Sequence, residues 1–194
     1  MQQLKMNREI SFSQYRTIDL VILTVLMAVS QFVIYVASSF WYPEQLYVVS
    51  PVGAMVALVM MRWGVWAGIH ALLGGVIFTL LSGGTMQHFL IYGVGNLASM
   101  LALLYIRFFT KERIRKDAFL AVVFALLVQI LMQLGRSAVA ALLGFPADAC
   151  IGFITTDVLS CLFTAVIIWV VRRIEGLFED QKHYLLRIQS ERKS

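Results

Sequence analysis

The chain has 194 residues, of which 60% are hydrophobic and 14% charged, and its mean hydropathy is +0.80. Soluble domains carry roughly 25% charged residues, so this composition excludes an ordinary soluble protein and predicts an all-α integral membrane protein. A transmembrane helix needs about 20 apolar residues, so we expect no separate soluble catalytic domain.

Six apolar stretches, taken in chain order, predict a bundle of six transmembrane helices. They cover residues 17–40, 46–61, 65–81, 87–108, 118–145 and 150–171. The second and third are short and meet at a tight turn around Arg62 and Gly64, so a re-entrant hairpin is an alternative for this pair. Residues 1–171 form the predicted transmembrane domain, and residues 172–194 read as a cytoplasmic amphipathic tail, with a solvated helix as the alternative.

Basic residues are distributed unevenly between the two sides of this topology. Of 16 Lys and Arg residues, all but one fall in segments 1–16, 107–116 and 172–193 or at Arg62. Short cytoplasmic loops collect Lys and Arg, so we expect both termini in the cytoplasm. The net charge of +5 then reflects topology, and we expect no nucleic-acid partner. The exception is Arg136, which lies inside the fifth stretch.

Polar side chains recur at helical spacing in four predicted spans, so that each set shares one helix face. The candidate substrate-binding residues are Gln31 and Tyr35, then His88, Tyr92 and Asn96, then Gln129, Gln133 and Arg136, and finally Asp157. In the predicted topology they lie in the outer half of the membrane. Arg136 and Asp157 stand at similar distances from the loop near Ala147, so they are expected to pair at one depth.

These polar residues have two interpretations. Gln, Asn and Ser commonly bridge helices inside bundles, and an Arg–Asp pair can simply neutralise itself. An uncompensated Arg in mid-span costs about 2.5–3.5 kcal/mol, and its planar guanidinium suits a carboxylate or phosphate. Arg136 is therefore the residue that most favours a ligand site, and we expect a ring-bearing, anionic small molecule as the ligand.

Two further features have both a structural and a functional interpretation. The aromatic segment 40–47, which includes Trp41, is either an interfacial belt or a lid over a bound ring system. Small residues at three- and four-residue spacing let helices approach closely and serve either internal packing or docking of another membrane protein. The candidate docking residues are Thr24, Ala28, Gly53, Ala57, Gly64 and Gly68.

Motifs for catalysis and cofactor binding do not occur in the sequence. It has no phosphate-binding GxxxxGK[ST] loop, no GxSxG nucleophile, no HExxH pair and no Cys/His spacing for a metal. We therefore expect no enzyme activity, no cofactor and no metal site. Two alternatives stay open, namely an intramembrane enzyme that uses Asp157 or His88 as acid or base, and a membrane scaffold or facilitator.

The segment SPVGA at residues 50–54, the turn Arg62-Trp63-Gly64 and the Gly/Ala-rich stretch after it resemble the substrate-binding S components of energy-coupling factor (ECF) vitamin transporters. The resemblance extends to chain size, span count and polar seams near the outer face. The family's two alanines four apart in the first span are not present, since Ala28 is flanked by Thr24 and Phe32.

Membership would imply high-affinity capture of a vitamin or related micronutrient in the bacterial cytoplasmic membrane. It would also imply two kinds of partner, a transmembrane coupling protein and two ATPase subunits, which together energise release of the substrate inwards. The lack of a nucleotide-binding motif in this chain agrees with that division of labour.

Overall fold

The computed structural model describes residues 11–41 and 49–191, and every regular element in this part of the chain is a helix. Segment 42–48, which holds most of the aromatic segment described above, lies outside the described residues. The helices are α1 Phe12–Trp41, α2 Val52–Trp63, α3 Ala67–Leu81, α4 Met86–Phe109, α5 Lys111–Lys116, α6 Ala118–Leu142, α7 Ala147–Thr155, α8 Val158–Val171 and α9 Gln181–Glu191.

Five helical stretches among the described residues are long and apolar enough to cross a membrane. They are α1, the stretch Val52–Leu81 that contains α2 and α3, α4, α6, and the stretch Ala147–Val171 that contains α7 and α8. Their outer faces expose large apolar side chains, such as Ile22, Val25 and Val29 of α1, which suits contact with lipid. The prediction of an all-α protein with several helices long and apolar enough to cross a membrane is confirmed for the described residues.

The stretch Val52–Leu81 folds back on itself at Gly64. Gly64 has φ +61°, a conformation that favours glycine, and it ends α2. A Cβ on Gly74 would lie 2.5 Å from Cγ1 of Val52, although a straight helix would hold these residues about 33 Å apart. The twelve residues of α2 rise only about 18 Å, which is less than the hydrocarbon thickness of about 30 Å.

Helices α2 and α6 form the centre of the bundle. All twelve residues of α2 are buried, and its Val56 and Met60 join Phe124, Val128 and Met132 of α6 in the apolar core. The predicted second span was expected to begin at residue 46, whereas α2 begins at Val52. Helix α2 is therefore a buried core element. A continuous apolar sequence suits a buried core helix as well as it suits a membrane span.

Two of the predicted spans depart from regular α-helix near the polar residues. Helix α4 contains a π-helical segment, Phe89–Val94, and a 3₁₀ segment, Leu97–Ala102, and the helical stretch after residue 147 breaks between α7 and α8 at Asp157. A Cβ on Gly75 would overlap the carbonyl of Tyr92, so only glycine allows α3 to lie this close to the π-helical segment. Such bulges are frequent at functional sites.

One end of the bundle, called the base here, is held together by Arg62. Its guanidinium pairs with Asp19 of α1 at 2.6 Å and donates to the carbonyls of Gly176 and Leu177 at 2.7 and 3.0 Å. The Tyr15 hydroxyl donates to Gln181 Oε1 at 3.0 Å. The start of α1, the α2–α3 turn and the tail therefore meet at the base, where the tail packs against the bundle itself.

Candidate functional site

A cavity of about 100 Å³ lies at the end of the α2–α3 hairpin away from the base. Its walls come from α2, α3, α4, α6, and the break between α7 and α8. The lining residues are Ser50, Val52, Gly74, Phe78, Tyr92, Arg136, Phe153, Thr156 and Asp157. Three of the predicted substrate-binding residues, Tyr92, Arg136 and Asp157, are thus brought together in one cavity wall.

Arg136 of α6 is held by groups from α4 and from the α7–α8 break. Its Nε donates to Asn96 Oδ1 at 2.7 Å, and its Nη1 donates to Asp157 Oδ2 at 3.2 Å. The guanidinium carbon lies 5.1 Å from the centroid of the Tyr92 ring, within the range of a cation–π contact. Arg136 is 7% exposed. The predicted ion pair is present, and Asn96 completes the support of the guanidinium.

The two glutamines of the fifth span's polar seam bind Asp157 and do not line the cavity. Gln129 Nε2 donates to Asp157 Oδ2 at 2.9 Å, while Gln133 Nε2 donates to the Asp157 carbonyl at 3.3 Å. That carbonyl is within reach of α6 because the helix breaks at Asp157 (φ −102°, ψ 21°). Gln129 and Gln133 therefore position the carboxylate that balances the charge of Arg136.

Hydrogen-bonding capacity remains on both partners of the pair. Both hydrogen bonds to the Asp157 carboxylate end on Oδ2, and among the described residues Oδ1 accepts none. The Nη2 group of Arg136 contacts only the sulfur of Met132, at 3.7 Å, which is a weak acceptor. A ligand in the cavity could therefore accept from the guanidinium and donate to the carboxylate at once.

Aromatic rings beside Arg136 form another part of the cavity lining, called the aromatic wall here. Tyr92 lies between Phe78, at a centroid distance of 4.7 Å, and Phe153, at 5.8 Å. Tilted and edge-to-face contacts of this kind favour a fixed arrangement of rings. The sequence pattern did not identify either phenylalanine as a site residue. An aromatic residue inside an apolar stretch gives the same pattern whether its side chain faces a cavity or lipid.

His88 and Trp41 lie outside the cavity lining. His88 Nδ1 accepts from the backbone N–H of Thr85 at 3.1 Å and so caps the start of α4, and its ring stacks on Tyr92 at 6.4 Å. Trp41 is 76% exposed at the end of α1. His88 therefore supports the aromatic wall from behind, whereas Trp41 has no described contact with it.

Gln31 and Tyr35 line a second, smaller cavity of about 10 Å³. Its other lining residues are Ile34, Val49, Ser50, Pro51, Phe78 and Leu81. Ser50 and Phe78 thus border both cavities. The polar face of α1 is therefore adjacent to the Arg136–Asp157 cavity but separated from it by the Phe78 side chain.

Most of the predicted docking residues have internal contacts. Ala57 is fully buried, and a Cβ on Gly53 would overlap Gln129 Oε1. Thr24 bonds to the Leu20 carbonyl and to His70, while Gly64 forms the α2–α3 turn. Ala28 and Gly68 are partly exposed, and a Cβ on Gly68 would lie 3.6 Å from Met100 Sδ. Gly53 and Ala57 therefore bring helices of this chain together, whereas a docking role for the partly exposed small residues stays a prediction.

Comparisons with protein families, with curated proteins and with solved structures found no match to this chain. What distinguishes the site is a buried, charge-balanced Arg–Asp pair that adjoins an aromatic wall in the lining of a small cavity inside an apolar bundle.

Proposed function

We propose that this chain is the membrane-embedded substrate-capture subunit of a micronutrient uptake system, of the type of the ECF S components. In this proposal six helical segments lie in the bacterial cytoplasmic membrane. The chain binds its substrate from outside, and a separate transmembrane coupling protein with two ATPase subunits energises release. The chain itself performs no catalysis.

The observation that carries the proposal is the contrast between two Arg–Asp pairs with little exposure in the described part of the chain. Arg62 is 6% exposed, and all three of its guanidinium nitrogens donate to oxygen atoms at 2.6–3.0 Å. Asp19 uses both carboxylate oxygens and also accepts from Trp63. A pair saturated in this way stabilises the fold and has nothing left for a ligand.

The Arg136–Asp157 pair is equally buried but is not saturated. Its ion-pair distance is 3.2 Å against 2.6 Å for Arg62–Asp19, and it lines a cavity with capacity left on Nη2 and Oδ1. A purely structural pair gains nothing from a cavity beside it. A ligand in the cavity could use the remaining hydrogen-bonding capacity of both partners, and this supports a binding site.

The charges at the base support the proposed orientation. Arg62, Lys111, Arg115 and Arg172 lie at or near this end, together with the tail. Because basic segments stay in the cytoplasm, the base faces inwards in the proposed topology and the cavity lies towards the outside. This is the arrangement that capture of an external solute requires.

An intramembrane enzyme fits the contacts less well. His88 Nδ1 is occupied in the cap of α4, and the Asp157 carboxylate is held by Arg136 and Gln129. The Thr85 hydroxyl, a potential nucleophile, lies 2.9 Å from His88 Nδ1, but this contact is part of the α4 cap and lies outside the cavity lining. A general base in the cavity would need such a partner within about 3 Å.

The cavity must enlarge before it can hold a vitamin-sized molecule. Ligand pockets commonly measure about 300–1,000 Å³, whereas this cavity measures about 100 Å³. The described state is thus a closed form, and binding has to move at least one wall. We expect Phe78 to be the wall residue that moves, since it also lines the second cavity.

The direct test is mass spectrometry of small molecules that co-purify with the full-length protein in detergent. The test variant is the double substitution R136Q/D157N, which removes both charges of the site together. The matched control is D19N/R62Q, which does the same to the saturated pair at the base. We expect a stoichiometric micronutrient with wild type and control, but not with R136Q/D157N. A molecule retained by R136Q/D157N, or repeated absence from wild type grown in rich medium, would contradict the proposal.

A further inference from the structure

Gln31 is the one buried side-chain amide that the bundle leaves unpaired in the described part of the chain. It lies on the inward face of α1 with Leu23 and Met27 and is 4% exposed. Neither its Oε1 nor its Nε2 has a hydrogen-bond partner among the described residues. By contrast, Gln129 and Gln133 both donate to Asp157.

The unpaired amide faces the second cavity, which shares two walls with the first. Ser50 is fixed there, since its backbone N–H donates to Ser160 Oγ at 2.9 Å. Phe78 is held only by packing, mainly against Tyr92 at 4.7 Å. A rotation of the Phe78 side chain is therefore the smallest movement that would join the two cavities into one.

We infer that the two cavities are the two ends of one ligand site, with Gln31 recognising one end of the ligand and Arg136–Asp157 the other. This inference rests on the proposed function. The ligand is then a flat ring system that displaces Phe78 and stacks on the remaining aromatic wall. Both of its ends carry hydrogen-bonding groups, because both ends of the joined cavity are polar.

The chemistry of the two ends narrows the ligand class. A free carboxamide presents a donor beside an acceptor, and it pairs best with a ring edge that does the same, such as a cyclic amide or an amidine. At the other end Asp157 already balances the charge of Arg136, so an added anion would leave the site with a buried excess negative charge. The ligand is therefore a neutral nitrogen heterocycle in preference to an anion.

The first measurement needs no ligand. Removing a buried amide that has no partner should stabilise the empty protein, so Gln31→Leu should raise the thermal midpoint by a few degrees. Met27→Leu is the matched control one turn earlier on the same face of α1 and should change the midpoint little. A lower midpoint for Gln31→Leu than for Met27→Leu would mean that the amide has a structural partner, and this would overturn the inference.

The second measurement uses three related rings at millimolar concentration. Uracil carries donor–acceptor edges, 1,3-dimethyluracil lacks the donors, and orotate adds a carboxylate to the same ring. We expect uracil to raise the midpoint of wild type and of Met27→Leu more than the other two rings do, and to lose this effect in Gln31→Leu. An unchanged uracil effect in Gln31→Leu, a larger effect of orotate in wild type, or no effect of any ring would overturn the assigned ligand class.

The two proposals fail in different ways. If Gln31→Leu behaves like its control while R136Q/D157N loses a co-purifying molecule, the substrate-capture function stands and the role of Gln31 falls. If wild type repeatedly carries no small molecule and none of the rings stabilises it, both proposals fall.

Discussion

The close approach of Gly53 to the Gln129 amide makes Gly53→Ala an informative perturbation. A Cβ at this position would overlap Gln129 Oε1 and lie 3.0 Å from its Cδ and 3.1 Å from Thr164 Oγ1. The end of the Gln129 side chain must therefore move. Its Nε2 would then lose the 2.9 Å hydrogen bond to Asp157 Oδ2, so a substitution outside the cavity would loosen the carboxylate of the site.

The expected cost follows from that single bond. A hydrogen bond to a charged group contributes about 1.5–3 kcal/mol, and 1 kcal/mol shifts the thermal midpoint of a chain of this size by about 2–4 °C. Gly53→Ala should therefore lower the midpoint by roughly 3–12 °C, measured by thermal unfolding in detergent. The control is Gly152→Ala in α7, where a Cβ meets no heavy atom within 4 Å and better helix propensity makes the change neutral or slightly stabilising.

Equal midpoints for the two variants would refute this reasoning, and they would also return Gly53 to its alternative role in docking a partner. A double-mutant cycle sharpens the test. In a Gln129→Ala background the obstructing atoms are gone, so Gly53→Ala should cost much less than in wild type, and the coupling energy should exceed about 0.5 kcal/mol.

Three further predictions concern the base, the tail and the α3–α4 contact. Asp19→Ala leaves Arg62 buried without its carboxylate and should lower the free energy of unfolding by about 3–5 kcal/mol, measured by chemical denaturation. Burial of Asp180 opposes its ionisation, but the hydrogen bond and charge of Lys111, together with the backbone N–H and charge of His183, outweigh burial and lower the pKa of Asp180 below its usual 3.8. The contribution of ionised Asp180 to the free energy of unfolding is therefore complete above about pH 3.8 and is lost as the pH falls through the lower pKa of the folded state. Lys111→Met removes the partner of Asp180 and should therefore expose the tail to pepsin at a higher pH than in wild type. Gly75→Ala forces a Cβ into the α4 backbone and should abolish a monodisperse gel-filtration peak, whereas a normal peak would show that α4 can shift.

Much of the site could be predicted because helical spacing and depth are properties of the sequence. Arg136 and Asp157 pair because they lie at similar distances from one loop. Asn96 and Tyr92 reach the guanidinium because they share a face of α4. A polar residue in an apolar stretch is a strong signal, since hydrocarbon penalises it unless it faces the interior.

What could not be predicted depends on contacts between distant segments. No proline in the sequence marks the helix break at Asp157 or the π-helical segment in α4. Packing against neighbouring helices stabilises both, and such contacts cannot be read from the sequence. Phe78 and Phe153 look like ordinary lipid-facing residues. Asp19 lies two residues into the predicted first span and is the only acidic residue there, which is the signal that could have revealed the buried pair at the base.

The difference between the two Arg–Asp pairs also sets what a ligand must do to the protein. The pair at the base already makes its hydrogen bonds within the protein, so it makes its full contribution to the stability of the folded state without a ligand. The Gln31 amide is buried without a partner, and the Arg136–Asp157 pair keeps hydrogen-bonding capacity beside the cavity, so a ligand can add contacts that the empty bundle lacks. A ligand that meets this capacity should stabilise the fold by about 2.7 kcal/mol at a free concentration one hundred times its dissociation constant. That stabilisation should vanish in R136Q/D157N and survive in D19N/R62Q, because only the unsaturated pair has hydrogen bonds left to make.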